Sequence, residues 1–198
     1  MENKTVIGFI GAGNMAYALI KGLLSDGFEA KNINVSDANP ELLEKRSSEL
    51  GVTAQPDNVS LLNNSDIVVF AVKPQVLSVV CHELKNKAST DQLFVSIVAG
   101  IKSKDINRWL GGDFALVRTM PNTPALFQSG VTGLYANELV NDIQKESVNL
   151  LLSAVGECFW VNEENLLDAI TAISGSGPAY FFLMMQSMKQ AAMALGLD

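Results

Sequence analysis

Three small residues near the start of the chain have the spacing of a phosphate-binding turn. Gly11, Gly13 and Ala16 form the pattern Gly-x-Gly-x-x-Ala between an apolar run that ends at Ile10 and a segment with helical spacing. The first glycine lets the chain turn, the second lets the backbone approach a phosphate, and the alanine lets the helix pack closely on the strand. The N–H groups at the start of that helix attract a pyrophosphate. The pattern predicts a dinucleotide-binding turn, and the alternative is a plain glycine turn.

A second candidate binding residue follows the second apolar run of the chain. Residues 32–36 are typical of a strand, and Asp37 comes directly after Ser36. A dinucleotide-binding unit places an acidic residue about twenty positions beyond its glycine turn, where the carboxylate reads the adenosine ribose. Asp37 is therefore predicted to contact that ribose, unless it only caps a turn, as aspartate often does.

A loop framed by two prolines carries further polar candidates. Pro121 and Pro124 fix the backbone on either side of Asn122 and Thr123. Those two side chains can hydrogen-bond a nicotinamide carboxamide or a substrate, and the loop follows the end of a predicted strand, where ligands bind in open sheets. The competing interpretation is a rigid turn between two elements of the sheet.

The remaining reactive side chains do not form a recognisable catalytic set. Cys81 and Cys158 are isolated from each other and lack metal-binding spacing, so reduced, buried thiols of a cytoplasmic protein are expected. The single histidine, His82, is expected to have a structural or surface role. The sequence indicates no metal site and no nucleophile–base pair.

Strands and helices alternate along most of the chain. We expect helices after the glycine turn and over residues 39–50, 56–62, 74–84, 103–109 and 138–155. Strands are expected over residues 32–36, 52–54, 67–72, 93–98, 115–118, 130–135 and 159–161. This order predicts an α/β fold with a doubly wound, mostly parallel sheet of the Rossmann type. The stretches 11–15, 36–37, 71–74, 99–100 and 119–124 then meet at one edge of the sheet.

The character of the chain changes after the last predicted strand. Residues 166–173 have helical spacing, residues 174–178 interrupt it, and a helix that is apolar on nearly every face follows to Leu195. We expect residues 1–162 to form a dinucleotide-binding domain and residues 163–198 to begin an all-helical domain. The apolar helix is expected to be covered by another subunit or by the rest of a longer chain. It is expected to be too short and too interrupted to span a membrane.

The overall charge excludes some partners. The net charge is −7 and 48% of the residues are hydrophobic, so neither nucleic acid nor an anionic membrane is an expected partner. The first residues lack the apolar stretch of a signal peptide, which favours a cytoplasmic location.

Four stretches together resemble one enzyme family, Δ1-pyrroline-5-carboxylate reductase. They are Ile10 to Ala16, Ala71 to Gln75, Met120 to Pro124 and Ile173 to Tyr180, in the order and spacing of that family. The resemblance implies the last step of proline biosynthesis, in which NAD(P)H reduces the C=N bond of 1-pyrroline-5-carboxylate to L-proline. It also implies a homodimer or larger homo-oligomer formed through the helical domain.

The resemblance also assigns roles to single residues. Gly11, Gly13, Asn14 and Met15 would hold the pyrophosphate, and Ser36 would bind the adenosine ribose or its phosphate. Asn58 would lie near the adenosine half of the cofactor. The nicotinamide riboside would contact Ala71, Val72, Lys73, Pro74 and Ala99, and Asn122 would lie near the nicotinamide. Thr171, Ser174 and Ser176 would lie close to the substrate.

The sequence differs from the family pattern in length and in its cofactor signal. Family members continue through more helices, so this chain is also compatible with a catalytically impaired dinucleotide-binding fragment. The resemblance favours NADP. The residues themselves favour NAD, because Asp37 suits a free ribose hydroxyl and an NADP site usually has a basic residue in its place. The next basic residues, Lys45 and Arg46, follow only further along the helix. Another dehydrogenase of the β-hydroxyacid type is the remaining alternative, although Lys189 is the only basic residue after Lys145.

Overall fold

The computed structural model describes residues 5–197, which form one sheet with helices on both faces. The strands are β1 (Ile7–Ile10), β2 (Ile33–Ser36), β3 (Thr53–Ala54), β4 (Ile67–Phe70), β5 (Leu93–Ser96), β6 (Ala115–Met120), β7 (Gly130–Ala136) and β8 (Gly156–Trp160). The helices are α1 (Asn14–Ser25), α2 (Pro40–Leu50), α3 (Asn58–Asn63), α4 (Pro74–Leu84), α5 (Ser103–Leu110), α6 (Asp142–Ser153), α7 (Leu166–Ile170) and α8 (Gly177–Ala194).

The eight strands lie in the order β3-β2-β1-β4-β5-β6-β7-β8. The six strands from β3 to β6 are parallel, β7 runs antiparallel to β6, and β8 is parallel to β7. Ile10, Ser36, Phe70 and Ser96 lie in one row across neighbouring strands. The predicted doubly wound, mostly parallel sheet is therefore confirmed, and the carboxyl ends of β1, β2, β4, β5 and β6 share one edge.

The two faces of the sheet carry separate hydrophobic cores. Along β1 and β4, alternate residues are buried on opposite faces, as expected for strands covered on both sides. Helices α1 and α6 pack on one face through residues such as Leu19 and Leu151. Helices α3, α4 and α5 cover the other face, where Phe70 and Phe94 stack with ring centroids 5.7 Å apart.

Cys81 belongs to this second core. The residue is fully buried on α4, and loss of hydration raises the pKa of its thiol to about 12. Burial likewise raises the pKa of Cys158 to about 11. Both thiols stay protonated near neutral pH. Cys81 is buried as expected, whereas Cys158 is only partly buried.

Several predicted boundaries were wrong by a few residues. The strands expected over 67–72 and 93–98 end at Phe70 and Ser96, because the residues that follow leave the sheet. The helix expected over 138–155 is shorter, since Asn141 caps it: its side chain accepts the Gln144 N–H and its own N–H binds the Gln144 side chain. Strand β6 continues to Met120 because it pairs with β7 along that length.

The predicted interruption at residues 174–178 was also wrong. The chain stays helical from Leu166 to Ala194 through a wide turn, Thr171–Gly175, in which the Ser176 N–H binds the Thr171 carbonyl at 2.8 Å. A turn of this kind, with i to i+5 bonds, absorbs an irregularity without ending the helix. Pro178 lies in the first turn of α8, directly after this wide turn, and its missing N–H does not end the helix.

The resulting 29-residue helix has little cover. Contrary to the expectation from the sequence, it is long and apolar enough to cross a membrane by length and composition alone, and only 6% of its most apolar window is buried. Tyr180, Phe182 and Met188 are each more than half exposed. An apolar helix surface of this size needs a further layer of protein or another apolar phase.

A buried ion pair joins the sheet to the start of this helical segment. Arg118 on β6 donates from Nη1 to Glu164 Oε1 at 3.1 Å, and the side chains are 5% and 18% exposed. The same oxygen accepts the Ser103 N–H at 2.6 Å and so caps the start of α5.

We predict that Glu164→Ala lowers the free energy of unfolding by about 3 kcal/mol, because it leaves the Arg118 charge buried without its partner. Urea denaturation followed by Trp109 and Trp160 fluorescence measures the loss. Asp105→Ala is the matched control, since it breaks the exposed Arg108–Asp105 pair and should cost about 1 kcal/mol or less. Equal losses in the two variants would contradict the prediction.

Candidate functional site

The glycine turn after β1 is held against the ends of both neighbouring strands. Gly11 has φ +104°, and a Cβ atom there would lie 2.5 Å from the carbonyl oxygen of Ala71. Its N–H donates to the Ser36 carbonyl at 2.8 Å, and the Ala71 N–H donates to the Ile10 carbonyl at 2.8 Å. Glycine is therefore required at position 11 by the backbone conformation and by the close approach of β4.

The turn leads into a helix start with free donors. The first bond inside α1 joins the Tyr17 N–H to the Gly13 carbonyl, and no side chain caps the helix. The N–H groups of Asn14 and Met15 therefore have no helical acceptor, as in any helix start. A Cβ at Gly13 would meet no atom within 4 Å, so open space lies in front of these donors. This arrangement fits the pyrophosphate of a dinucleotide.

Asp37 makes its contacts within the protein. Its Oδ2 accepts the Ala12 N–H at 2.7 Å, and its Oδ1 accepts the Asn39 N–H at 2.8 Å. The carboxylate thus ties the end of β2 to the glycine turn. It also lines the cleft at that edge.

Ser36 and Asn58 are joined by a hydrogen bond. The Ser36 hydroxyl, which is buried, donates to Asn58 Oδ1 at 2.8 Å, and Asn58 Nδ2 donates to Glu83 Oε2 at 2.8 Å. Asn58 lines the cleft at the start of α3, while Ser36 lies behind it. Sequence analysis missed Glu83, because nothing in the sequence connects a residue on the exposed side of α4 to α3.

A basic residue lies closer to the turn than its sequence position indicates. Arg46 on α2 reaches back to α1, where its Nη2 donates to Asn14 Oδ1 at 3.3 Å and its guanidinium stacks 4.1 Å from the Tyr17 ring centre. Arg46 also pairs with Glu49 at 3.2 Å. Glu49 in turn accepts the Tyr17 hydroxyl, which lowers the pKa of Glu49 and raises the pKa of Tyr17.

The cleft between the glycine turn and α4 has a volume of about 340 Å³. Its lining combines the ends of β1, β2 and β4 with the first turns of α3 and α4 and includes the following residues: Ile10, Gly11, Gly13, Asp37, Ala38, Leu42, Asn58, Ala71, Val72, Lys73, Val76 and Val80. Pro74 begins α4 directly beside it, and Ala99 follows β5 at the same edge.

A larger cleft, of about 600 Å³, lies between α5 and the loop after β7. Gly111 to Asp113, before β6, and Tyr135 to Leu139, around the end of β7, contribute to it. Because β7 is antiparallel to β6, this cleft lies at the amino ends of the parallel strands, away from the predicted binding residues.

Asn122 connects the strand edge to the helical segment. Its Oδ1 accepts the Val131 N–H at 2.9 Å, and its Nδ2 donates to Ser174 Oγ at 3.0 Å. The Ser174 hydroxyl accepts this bond, so its own proton is left for another acceptor. Both ends of the Asn122 amide are committed to the protein.

The other two polar candidates in the helical segment are less available. Thr171 Oγ1 donates to the Leu167 carbonyl one turn back at 2.7 Å, and Ser176 contributes its backbone N–H to the wide helical turn. Gly175 packs so closely that a Cβ would lie 2.5 Å from the Met120 methyl group. This segment therefore lies directly against the end of β6.

Metal chemistry finds no support in the part of the chain that the structure describes. Among residues 5–197, no group of three or more His, Cys, Asp or Glu side chains could hold a metal ion. The arrangement instead suits an organic ligand laid along the strand ends, with its phosphates at α1.

Two family models match the chain. Residues 6–100 match NADP oxidoreductase coenzyme F420-dependent, and residues 164–198 match pyrroline-5-carboxylate reductase dimerisation. The second match covers the exposed helical segment, and the first covers the glycine turn and β1 to β5.

Individual relatives agree with these matches. A pyrroline-5-carboxylate reductase of Pseudomonas aeruginosa is 47% identical over 97% of this chain and 70% of its own length. The solved reductase of Coxiella burnetii superposes with TM-score 0.91 at 40% identity, over 98% of this chain and 73% of that one. The Plasmodium falciparum pyrroline carboxylate reductase, solved with NADP bound, superposes with TM-score 0.87 at 28% identity, over 99% of this chain and 72% of that one. The chain therefore belongs to the pyrroline-5-carboxylate reductase family.

Proposed function

We propose that this chain binds NAD(P)H along the strand ends and reduces the C=N bond of 1-pyrroline-5-carboxylate to give L-proline. Family membership supports the reaction, and the observation that carries the binding site is the glycine turn, with open space in front of free N–H groups at α1. When bound, NAD(P)H supplies the hydride for the imine carbon. The protein has to align the two reactants and hold the substrate carboxylate.

The proposed cofactor site follows the cleft. Gly11, Gly13, Asn14 and Met15 receive the pyrophosphate. Asp37 and Asn58 line the adenosine end, with Ser36 behind Asn58. On the nicotinamide side we place Ala71, Val72, Lys73, Pro74, Ala99 and Asn122, which follow the ends of β4, β5 and β6.

The substrate is proposed to bind beyond Asn122, at the wide helical turn. Ser174 offers a hydroxyl proton there, because its oxygen already accepts from Asn122. Such a donor can hold the carboxylate or the ring nitrogen of the substrate. Thr171 and Ser176 shape the turn from their positions in the helix, and an acid–base dyad is not required because a protonated cyclic imine accepts hydride readily.

The division of the chain is part of the proposal. Residues 1–162 would form the dinucleotide-binding domain, and residues 163–198 would begin a helical domain used for dimerisation. The match to the dimerisation family and the exposed apolar surface of α8 support self-association through this segment. A homodimer or larger homo-oligomer in the cytoplasm is the corresponding expectation.

We predict that the purified chain oxidises NAD(P)H when 1-pyrroline-5-carboxylate is added and forms L-proline. Ser174→Ala should lower kcat/KM by about tenfold or more, because the variant loses one hydrogen bond to a charged group of the substrate. The absorbance of the reduced nicotinamide follows oxidation of the cofactor, and amino-acid analysis identifies the product.

Ser153→Ala, an exposed serine on α6, is the matched control and should retain wild-type kinetics. Binding of NAD(P)H without turnover would instead favour a catalytically impaired fragment. Oxidation of β-hydroxyacids without imine reduction would favour the other dehydrogenase class.

Alanine substitutions at the two glycines of the turn should have different effects, one on the stability of the fold and the other on cofactor binding. Gly11→Ala should destabilise the fold by about 2 kcal/mol or more, because of its positive φ and the Ala71 contact. Gly13→Ala should change stability by no more than about 1 kcal/mol yet weaken NAD(P)H binding about tenfold, because its Cβ enters the pyrophosphate space. Denaturation and fluorescence titration measure the two effects. If Gly13→Ala bound NAD(P)H as tightly as the wild type does, the pyrophosphate would have to bind elsewhere.

Self-association should depend on α8. Phe182 is 61% exposed, so Phe182→Glu should leave the sheet intact and shift an oligomer to monomer in size-exclusion chromatography with light scattering. Ile143→Glu is the matched control on α6, where Ile143 is 77% exposed, and should not change the mass. A monomeric wild-type protein, or an oligomeric Phe182→Glu variant, would contradict this assignment.

A further inference from the structure

Ser174 differs from Thr171 and Ser187, two other hydroxyl residues of the same helical segment. A serine or threonine in a helix commonly donates to the carbonyl oxygen one turn back. Thr171 does so at 2.7 Å and Ser187 at 2.9 Å. Ser174 makes no such bond within the part of the chain that the structure describes, and its oxygen instead accepts from Asn122 Nδ2 at 3.0 Å. The Asn122 amide therefore holds this hydroxyl away from the helix backbone.

A backbone donor defines the orientation of the Asn122 amide. The Val131 N–H lies 2.9 Å from one end of the amide and can only donate, so that end must be the oxygen. The amide nitrogen therefore faces Ser174. Asn122 is 9% exposed and is flanked by Pro121 and Pro124, which stiffen its loop. The donor toward Ser174 is thus in place before a ligand enters.

The backbone that carries Ser174 is held in place as well. Gly175 lies so close to β6 that a Cβ atom there would be 2.5 Å from the Met120 methyl group. The Ser176 N–H binds the Thr171 carbonyl at 2.8 Å and closes the wide turn. Because a lone pair of Ser174 Oγ points at the amide, the O–H bond points away from it, and residues 5–197 supply no hydrogen-bond acceptor for this proton.

We propose that Asn122 is a positioning residue for imine reduction, which acts through Ser174 and not by direct contact with the cofactor. Its amide nitrogen directs the Ser174 proton to the substrate carboxylate, since the ring nitrogen of a protonated imine has no lone pair left. The inference rests on the proposed function, which places the substrate at the wide helical turn. Without the Asn122 donor, the Ser174 hydroxyl is free to donate to a helix carbonyl, as Thr171 does, and the substrate loses its donor.

Two substitutions at position 122 test the donor in different ways. Asn122→Asp keeps an oxygen for the Val131 N–H but replaces the amide nitrogen with an acceptor. The Ser174 hydroxyl then donates to this acceptor, so its proton is withdrawn from the substrate. Asn122→Ala removes the donor and adds no charge, which makes it suitable for a double-mutant cycle with Ser174→Ala.

The experiment measures kcat/KM for 1-pyrroline-5-carboxylate and, by fluorescence titration, the dissociation constant of NAD(P)H. Asn122→Asp should lower kcat/KM by about tenfold or more, the size of one hydrogen bond to a charged group. The dissociation constant of NAD(P)H should stay within about twofold of the wild-type value.

The double-mutant cycle separates action through Ser174 from an independent role. Asn122→Ala and Ser174→Ala should each lower kcat/KM by about tenfold. The variant that carries both substitutions should also lose about tenfold and not about a hundredfold, because the two changes remove the same hydrogen bond to the substrate.

Asn137 provides the matched control. Its oxygen accepts the Leu116 N–H at 3.1 Å and its nitrogen donates to the Phe114 carbonyl at 2.8 Å, so both ends of this amide are also bound to the protein. Asn137 lies at the opposite edge of the sheet, in the cleft at the amino ends of the parallel strands. Asn137→Asp should therefore keep wild-type kcat/KM, even where it lowers the free energy of unfolding.

Several results would overturn the inference and leave the proposed function intact. They are additive losses in the cycle, a weakening of NAD(P)H binding that parallels the loss of kcat/KM, and wild-type kinetics in Asn122→Asp. The last result does not depend on whether Asn122→Ala folds. A wild-type chain that does not reduce the imine, or a Ser174→Ala variant with full activity, overturns the proposed reaction or the proposed substrate position, and this inference with it.

Discussion

The backbone of the glycine turn lies in contact with both strands that flank β1, and the position of the binding edge follows from that contact. Gly11 approaches Ala71 to a distance that excludes any Cβ, and its N–H binds the end of β2. Asp37 adds a third tie through the Ala12 N–H. Because these bonds fix the turn, α1 starts with its free N–H groups directed at the cleft. A substitution that moves the turn would move the ends of three strands together.

The same edge is organised by polar side chains that bind one another. Ser36, Asn58 and Glu83 form one chain of hydrogen bonds, and Val131, Asn122 and Ser174 form another. Each amide is oriented by two partners, which leaves its polarity defined before a ligand enters. Pre-oriented groups lose little entropy on binding.

The helical segment is arranged by different forces. The buried Arg118–Glu164 pair and the close packing of Gly175 on Met120 place its first turns against β6. Beyond these contacts α8 exposes apolar side chains, and their burial requires a further layer of protein or another apolar phase. The relatives are longer than this chain, which covers 70% of the Pseudomonas aeruginosa reductase.

The amino-acid sequence by itself determined the sheet, the family and the edge at which the candidate binding residues meet. Apolar runs, glycine spacing and proline positions are local features, and they dictate backbone conformation over a few residues at a time. Only the tertiary structure placed Arg46 beside Asn14, Glu83 beside Asn58 and Glu164 beside Arg118. These contacts join residues far apart in the chain, and their side chains carry no pattern that names the partner. The continuous helix through residues 171–175 likewise depended on hydrogen bonds that composition does not specify, since glycine and proline there are equally compatible with a break.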